Sequence, residues 1–286
     1  MGYETINREN IGGIVRVTLN RPQQLNALSS QLMKELDAVM SEIEQEESQK
    51  VLLITGASRP DGRPCFSAGA DLKEVAKLGA GRPDAMIGIN LAADERLLLS
   101  IKDFVFAKDS LPQLLFNRLE KLSKPTIAAI DGICCAGGFE LALCCDFRLV
   151  SETANIFDTH MKNLNGALGG GGISVRLPRV VGAAKAKELL WTQDHIDGRE
   201  AHRIGLANQV FPKEQFEESA MAFARKLVDC PAFGIKLSKM LIDGGLDLSN
   251  EQSLRFSEVL SNVRVYMHPD LAAGAAKAFA EKSKSS

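Results

Sequence analysis

The sequence lacks the features that mark several classes of protein. None of its apolar runs approaches the roughly 18 residues of a membrane span. Its first residues carry no basic segment followed by an apolar stretch, as a secretion signal would. Its six cysteines lie mostly in apolar runs, without the CxxC spacing that zinc sites favour. We therefore expect a cytoplasmic protein with no membrane span, buried thiols and no metal site.

The chain also lacks an excess of either charge. Its formal net charge is -2, which gives no global basic field for nucleic acid or anionic lipid. The helix predicted over 29–46 has a single lysine, Lys34, and the segment is otherwise acidic. Its acidic residues, with one just beyond its end, are Glu35, Asp37, Glu42, Glu44, Glu46 and Glu47. Such a segment repels phosphate, so we expect no nucleic-acid partner.

What the chain does contain is an alternation of strand-like and helix-like segments. Apolar residues recur at helical spacing from Leu32 to Ile43, and Ser29 or Ser30 precedes them, which predicts a capped helix. Short apolar or alternating runs predict strands at 14–19, 51–55, 125–130 and 147–150, and further helices are predicted from about Gly138 and over 173–179. Strands that alternate with helices indicate an α/β fold.

Beyond about residue 200 the strand signals fade. Helical patterns cover 215–229, 232–242, 250–266 and 269–284. The third of these has more apolar positions than one packed stripe needs, which favours self-association. We therefore divide the chain into an α/β core at 1–200 and a helical oligomerisation region at 201–286.

The most informative stretch is 134–146, which places glycines, a predicted helix start and a carboxylate within one turn. Gly137 and Gly138 follow a buried strand and a break at residues 131–132. The N–H groups of a helix's first turn have no internal partner and point outward as fixed donors. With Glu140 beside them, this layout is typical of an oxyanion site with a base. A glutamate at this position also interacts favourably with the helix dipole.

A second turn of this kind occurs at 67–74. There Ala68, Gly69 and Ala70 lead into another predicted helix start, and their small side chains permit close approach to the backbone. The alternative is a tight connection between a strand and a helix, which Asp71 helps to cap. Two such turns in one chain favour a paired donor site.

These two turns closely resemble those of the crotonase, or enoyl-CoA hydratase/isomerase, superfamily. The resemblance also covers 19–22 with 25–28, 124–132, 176–179 with Gly182, and 201–206, and so spans nearly the whole chain. It implies a spiral of ββα units and a helical C-terminal region that trimerises, usually with two trimers in a hexamer. The partners it implies are an acyl-CoA thioester and further copies of the chain, as a homotrimer or homohexamer.

The resemblance also implies roles for residues of the site. By matching motifs, the N–H groups of Ala70 and Gly137 hold the thioester oxygen and stabilise an enolate, and Glu140 transfers a proton. The residues expected to run along the CoA are Ala70, Asp71, Leu72 and Lys73. No cofactor is implied, because coenzyme A is part of the substrate. Residues 1–200 would then form the catalytic core that binds acyl-CoA.

The chain departs from the family's pattern at 157–166. Hydratases usually carry a second glutamate in a Gln-Pro-Glu context, and aligned from Phe157 that position is Met161. We expect Met161 to contact the substrate, but a thioether neither holds water through an anionic oxygen nor passes a proton. Asp158 and His160 are candidates to fill the gap, each with the alternative of a structural role.

Two further segments bear on the site. Residues 169–172 are all glycine but lack the Lys-Ser/Thr of a phosphate loop, which predicts close backbone packing before the following helix. Between Glu74 and Lys124 the chain is longer than the compact form of the family. The apolar stretch at 97–106 either borders the acyl pocket and selects the acyl group or packs as a surface helix.

The sequence leaves three functions open. The leading hypothesis is an enoyl-CoA hydratase/isomerase-type enzyme that acts by hydration. Another enolate reaction, such as double-bond isomerisation, decarboxylation, or C–C bond formation or cleavage, needs only one carboxylate, and Met161 keeps this alternative open. The third hypothesis is a non-catalytic protein that binds acyl-CoA, against which Glu140 argues.

Overall fold

The computed structural model describes residues 2–80, 111–163, 168–267 and 274. The chain divides into two compact units, Met1–Asp229 and Cys230–Ser286. The strands, in chain order, are β1 (Ile6–Ile11), β2 (Ile14–Leu19), β3 (Val51–Gly56), β4 (Cys65–Ser67), β5 (Thr126–Ile130), β6 (Ile133–Cys135), β7 (Phe147–Ser151), β8 (Asn155–Phe157) and β9 (Gln209–Phe211). The strands predicted at 14–19, 51–55, 125–130 and 147–150 are confirmed as β2, β3, β5 and β7.

The helices alternate with these strands in the first unit and make up most of the described part of the second. They are α1 (Ser30–Gln45), α2 (Leu72–Ala80), α3 (Leu111–Glu120), α4 (Gly137–Leu143), α5 (His160–Asn163), α6 (Ile173–Val181), α7 (Ala183–Thr192), α8 (Gly198–Arg203), α9 (Phe216–Val228), α10 (Ala232–Gly245) and α11 (Asn250–Met267). Short 3₁₀ turns lie at Pro22–Gln24 and Lys213–Gln215. Within the described residues, no helix is long and apolar enough to cross a membrane.

Two sheets organise the described residues of the first unit. One has six strands in the order β1-β2-β3-β5-β7-β9, of which β1 and β2 are antiparallel and the others parallel. The other has three short parallel strands in the order β4-β6-β8. A long strand, a short strand and a helix therefore follow one another in β3-β4-α2, β5-β6-α4 and β7-β8-α5. This repetition confirms the α/β fold and the predicted ββα units.

The central strands of the six-stranded sheet are buried on both faces. Side chains alternate between the faces of a strand, so Leu52 and Ile54 of β3 join one core cluster, whereas Val51 and Leu53 join another. The second cluster includes Phe216, Ala220, Met221 and Ala224 of α9, so this helix covers one face. Strands buried on both faces read as continuous apolar runs, which is why β3 and β5 were recognisable in the sequence.

Helix α1 closes the other face, as its apolar periodicity predicted. The Oγ of Ser29 accepts a hydrogen bond from the Leu32 N–H at 3.2 Å and caps the first turn. Its buried apolar side chains are Leu32, Met33, Leu36, Val39, Met40 and Ile43. At its other end, the Nζ of Lys124 donates to the carbonyls of Ile43, Glu46 and Gln49 at 2.5–2.7 Å. Both ends of α1 are therefore satisfied by side chains.

The second unit is helical in its described residues. The predicted helices at 215–229, 232–242 and 250–266 are confirmed as α9, α10 and α11, although α9 belongs to the first unit. The prediction at 269–284 lies outside the described residues, apart from residue 274. Large apolar side chains of α10 and α11 are exposed, among them Ile242, Leu254 and Val259. The oligomerisation role of residues 201–286 stays a prediction.

The cysteines are buried with one exception. Cys65, Cys134, Cys135, Cys144 and Cys145 are buried, whereas Cys230 is exposed. Burial raises the pKa of the Cys135 thiol to about 12, so it stays protonated at neutral pH. Among the described residues, no group of three or more His, Cys, Asp or Glu side chains is arranged to hold a metal ion.

Candidate active site

The two turns singled out in the sequence lie against each other. A Cβ atom built on Gly69 would lie 2.8 Å from the amide nitrogen of Gly137, and one on Gly137 would lie 3.2 Å from that of Ala70. Gly69 has a φ of 95°, a conformation that L side chains rarely adopt. The parallel pairing of β4 with β6 carries the loops after these strands to the same edge. Glycines at the crossing permit this close approach.

The local backbone leaves the Ala70 and Gly137 amides without an internal acceptor. The N–H of Leu28 donates to the Gly69 carbonyl at 2.7 Å, and the N–H of Asp71 donates to the Leu28 carbonyl at 3.1 Å. In such a parallel bridge the N–H of the intervening residue, Ala70, faces the other way. Gly137 is the first residue of α4, so its N–H has no partner within the helix. In the described part of the chain, no hydrogen bond uses either amide as donor.

A cavity of 380 Å³ lies beside these amides. Its lining includes Ala70, Ala136 and His160, together with Gln23, Gln24 and Leu25 from the turn before α1. The residues predicted to run along CoA also line it, namely Ala70, Asp71, Leu72 and Lys73. Gly137, Glu140 and Met161 are not among its lining residues. The cavity thus joins the first of the two turns to the start of α5.

Asp71 has the capping role that the alternative interpretation gave it. Its Oδ1 accepts hydrogen bonds from the N–H groups of Lys73 at 3.1 Å and Glu74 at 3.3 Å. Its Oδ2 pairs with the Arg21 guanidinium at 2.7 Å. That hydrogen bond, with those from the backbone, lowers the pKa of Asp71 below its usual value. The carboxylate therefore fixes the start of α2 and, with it, the conformation of the loop at Ala70.

Glu140 lies in the first turn of α4, and its side chain is only 3% exposed. One oxygen, Oε1, accepts hydrogen bonds from the N–H groups of Gly171 at 3.0 Å and Ile173 at 3.1 Å. Burial raises the pKa of this carboxyl, although a charge on His160 and the two backbone hydrogen bonds oppose the rise. A carboxyl group held in this way exchanges protons more readily near neutral pH than an exposed glutamate does.

The glycines at 169–172 make room for Glu140. A Cβ on Gly169 would lie 2.4 Å from Glu140 Oε1, and one on Gly171 would lie 2.2 Å from the Phe116 ring. Close backbone packing, as predicted for this run, is thereby confirmed. The Arg176 guanidinium donates to the Gly171 carbonyl and to Glu120, which holds the loop in place. Sequence reasoning missed that this loop supplies two hydrogen-bond donors to Glu140.

His160 and Asp158 come together beside Glu140. His160 Nδ1 lies 2.6 Å from Asp158 Oδ1, and His160 Nε2 lies 3.9 Å from Glu140 Oε2. The side chains of Asp158 and His160 are both buried. Burial lowers the pKa of His160, but the hydrogen bond and charge of Asp158 and the charge of Glu140 outweigh it, so that the pKa is raised overall. Three of the predicted residues thus form one cluster.

Met161 is half-buried and follows His160 in α5. With its amide oriented so that the oxygen faces the helix, the Gln193 side chain accepts hydrogen bonds from the N–H groups of Met161 and Lys162 at 3.1 Å each. No local sequence pattern indicated a role for Gln193, because its contact with α5 joins distant parts of the chain. The apolar stretch at 97–106, predicted to border the acyl pocket or pack as a surface helix, lies outside the described residues.

Comparisons with known proteins agree on one family. The sequence matches the family described as enoyl-CoA hydratase/isomerase over residues 9–110 and 108–286. It is 35% identical over 258 residues to a short-chain-enoyl-CoA hydratase of Clostridium acetobutylicum, covering 90% of this chain and 87% of the relative. A crotonyl-CoA hydratase of Syntrophomonas wolfei is 31% identical over 254 residues, covering 89% and 87%. A crystal structure of an enoyl-CoA hydratase from Bacillus anthracis superposes with a TM-score of 0.78 at 31% identity, covering 98% of this chain and 97% of that one.

Proposed function

Because the chain belongs to the enoyl-CoA hydratase/isomerase family and is an enzyme of that type, we propose that it adds water across the double bond of a 2-enoyl-CoA thioester. The observation that carries this proposal is the meeting of the Ala70 and Gly137 amides beside a cavity. Neither amide donates to an acceptor within the described residues, and the buried carboxyl group of Glu140 lies in the same helical turn as Gly137. Membership of an enzyme family sets aside the non-catalytic binding protein as an alternative.

In the proposed reaction the two amides bind the thioester oxygen. When water attacks the β-carbon, the π electrons move toward this oxygen, and the N–H groups of Ala70 and Gly137 donate to the negative charge that develops. Donors fixed by backbone geometry need no rearrangement as the charge appears. Each donor of this kind is worth about 10² to 10³ in rate.

Glu140 is the proposed general acid/base. Its first oxygen is occupied by the N–H groups of Gly171 and Ile173, so the second, Oε2, is the one available for proton transfer. Burial raises the pKa of Glu140, so its carboxylate is a stronger base than that of an exposed glutamate. In this role Glu140 takes a proton from the attacking water.

The remaining parts of the proposal follow from this chemistry. Hydration moves a water molecule and protons without net oxidation, so it needs no redox cofactor, and coenzyme A belongs to the substrate. The segment Ala70 to Lys73 lines the cavity and contacts the CoA moiety. We place the enzyme in the cytoplasm as a homotrimer or homohexamer, in which the exposed apolar side chains of α10 and α11 are covered by other copies.

A second candidate function is double-bond isomerisation or another enolate reaction. Met161, which stands where hydratases usually carry a second glutamate, favours it, because one carboxyl group can move a proton between two carbons. Decarboxylation and C–C bond formation or cleavage share the enolate and the same amide pair. These reactions differ from hydration in their products.

The test is to incubate the purified enzyme with 2-enoyl-CoAs of increasing chain length, 3-enoyl-CoAs and carboxylated acyl-CoAs. Hydration removes the ultraviolet absorbance of the conjugated thioester, and mass spectrometry then detects a gain of one water. The proposal expects this gain with at least one 2-enoyl-CoA. Turnover of the other thioesters with no gain of water from any 2-enoyl-CoA would instead establish the second candidate.

A further inference from the structure

Three buried titratable groups form a line whose middle member lines the cavity. Asp158 Oδ1 lies 2.6 Å from His160 Nδ1, and His160 Nε2 lies 3.9 Å from Glu140 Oε2. Of these three residues, only His160 is among those that line the cavity of the described residues. His160 therefore borders the space beside the Ala70 amide, and one carboxyl group lies near each nitrogen of its imidazole.

The groups around His160 hold its imidazole in this orientation. The N–H of His160 donates to Asp158 Oδ2 at 3.2 Å, so Asp158 contacts both the ring and the main chain of the same residue. The Gln193 side chain accepts from the next two N–H groups of α5. A Cβ on Gly169 would lie 3.0 Å from His160 Cε1, so the glycine leaves room for the ring. A ring fixed by its neighbours is preorganised for proton transfer.

We propose that His160 is the second proton-transfer group of the enzyme and that Asp158 is the residue that positions it. The inference rests on the proposed function, because it assigns to the imidazole the step that hydratases of this family usually give to a second glutamate. That position is Met161 in this chain, and its thioether has no proton to give.

The step balances when Glu140 and His160 act as base and acid. One O–H bond of water breaks, its proton passes to Glu140, and the oxygen bonds to the β-carbon. The π electrons form the enolate, which the amides of Ala70 and Gly137 hold. The carbonyl then re-forms as the α-carbon takes a proton from the His160 imidazolium, which becomes neutral. The proton on Glu140 returns to His160 when a small side-chain movement closes the 3.9 Å gap between Glu140 Oε2 and His160 Nε2.

The charges that face His160 suit this role. Asp158 adjoins Nδ1, Glu140 from α4 faces Nε2, and Asp71 and Lys73 at the start of α2 line the same cavity. Asp71 is already paired with Arg21. The two carboxylates nearest the ring oppose the effect of burial and keep the pKa of His160 above its usual value, so more of it is imidazolium at neutral pH.

The test follows exchange of the α-protons of butyryl-CoA in D₂O by mass spectrometry. This saturated thioester cannot be hydrated, so the exchange reports on the proton-transfer group alone, whereas hydration of a 2-enoyl-CoA reports on the proposed function. We expect His160→Gln to lower the exchange rate by about 10² to 10⁴ with little change in KM. In His160→Ala, added imidazole restores part of the exchange, because the cavity reaches the vacated position.

Asp158→Asn provides a readout that a purely structural role would not move. Neutral imidazole is the base in the exchange, so the rate rises with pH through the pKa of His160. Removing the Asp158 charge lowers the pKa of His160, so the exchange rate of the variant rises at a lower pH than that of the wild type. His195→Gln is the matched control. His195 is an exposed histidine that does not line the cavity, and its ring stacks on Phe157 and forms a hydrogen bond with Asn155. This control keeps the wild-type rate and pH profile.

Two results would overturn the inference. One is a folded His160→Gln variant that exchanges the α-protons at the wild-type rate. The other is an Asp158→Asn variant whose exchange rate depends on pH as that of the wild type does. If the wild-type enzyme exchanges α-protons but hydrates no 2-enoyl-CoA, the proposed function fails while the role of His160 is still decided by the variants. Absence of exchange in the wild type overturns the role of His160, whereas the proposed function then stands or falls on the hydration assay.

Discussion

The amide nitrogen of Ala70 lies 3.2 Å from the point where a Cβ atom on Gly137 would be placed. Any side chain at residue 137 would therefore crowd the neighbouring amide. The close contact explains why a glycine begins α4 at this position, because in the proposed mechanism the space that a methyl group would fill holds the substrate oxygen. Both donors belong to the backbone, so a substitution removes access to them rather than the donors themselves.

Gly137→Ala tests the amide pair. The new methyl group lies against the Ala70 amide and obstructs the oxygen of the substrate, so we expect kcat to fall by about 10² to 10³. Gly137 does not have a positive φ, so alanine fits its backbone conformation. Steady-state kinetics with the best 2-enoyl-CoA measure the effect.

Gly234→Ala is the control for this substitution. It also adds a methyl group to a helical glycine, but in α10, where the nearest atom is Pro231 Cβ at 3.9 Å, an ordinary contact. We expect its activity to match the wild type. If Gly137→Ala retained wild-type kcat while remaining folded, the amide at residue 70 would not be the substrate's donor.

Glu140→Gln separates catalysis from stability. The amide oxygen of glutamine can still accept from Gly171 and Ile173, so the variant folds, but it cannot act as a base, and we expect kcat to fall by about 10² or more. Retention of full activity would remove Glu140 from the mechanism.

The same variant has a pH signature in unfolding. The pKa of Glu140 is raised in the folded state by burial, so the folded state binds this proton more tightly than the unfolded chain does. Its contribution to stability is present at low pH and is lost as the pH rises through the folded-state pKa. Urea denaturation at pH 5 and pH 8 should therefore show Glu140→Gln gaining stability relative to wild type at the higher pH. An equal difference at both pH values would contradict this prediction.

Gly132→Ala tests the close contact where the pairing of β4 with β6 begins. Gly132 has a φ of 67°, and a Cβ there would lie 2.0 Å from the Pro64 carbonyl oxygen, just before β4. We expect the free energy of unfolding to fall by several kcal/mol, or the variant not to fold, because main-chain atoms can move aside only at a large energetic cost. Gly62→Ala has a similar φ of 79° but meets no atom within 4 Å, so it should cost only about 1 kcal/mol. Equal melting temperatures for the two variants would show that the contact with Pro64 is unimportant.

Lys124→Met tests the end of α1. Its ammonium group satisfies three carbonyls, those of Ile43, Glu46 and Gln49. Hydrogen bonds to a charged group contribute more than neutral ones, so we expect a loss of about 1.5 to 3 kcal/mol in the free energy of unfolding. Lys121→Met, at an exposed lysine on the turn after α3, should change it by less than about 0.5 kcal/mol. Equal effects would mean that these three bonds are not needed.

The sequence was sufficient for the long elements of the fold because their patterns are local. Helix α1 shows a cap at Ser29 and six apolar side chains at helical spacing, and β3 and β5 are continuous apolar runs. The three-residue strands β4, β6 and β8 carry no such pattern, since their pairing joins distant parts of the chain. Only the resemblance to the crotonase superfamily predicted the ββα units they complete.

The site was predictable residue by residue but not as an arrangement. The glycine turns located Ala70, Gly137 and Glu140, since each lies in a short motif. The line from Asp158 through His160 to Glu140 depends on how α5 packs against α4, and no local pattern records it. Sequence reasoning named His160 and Asp158 as alternatives for one role, whereas the structure places them in contact with each other.

The most direct test of the account is the infrared absorption of a bound acyl-CoA whose thioester carbonyl carries ¹³C. If the N–H groups of Ala70 and Gly137 both donate to this oxygen, they polarise the carbonyl, and its stretching frequency falls below that of the free thioester in water. In Gly137→Ala much of this shift should be lost. An unshifted frequency in the wild-type complex would contradict the account, because the substrate oxygen would then not lie between the two amides.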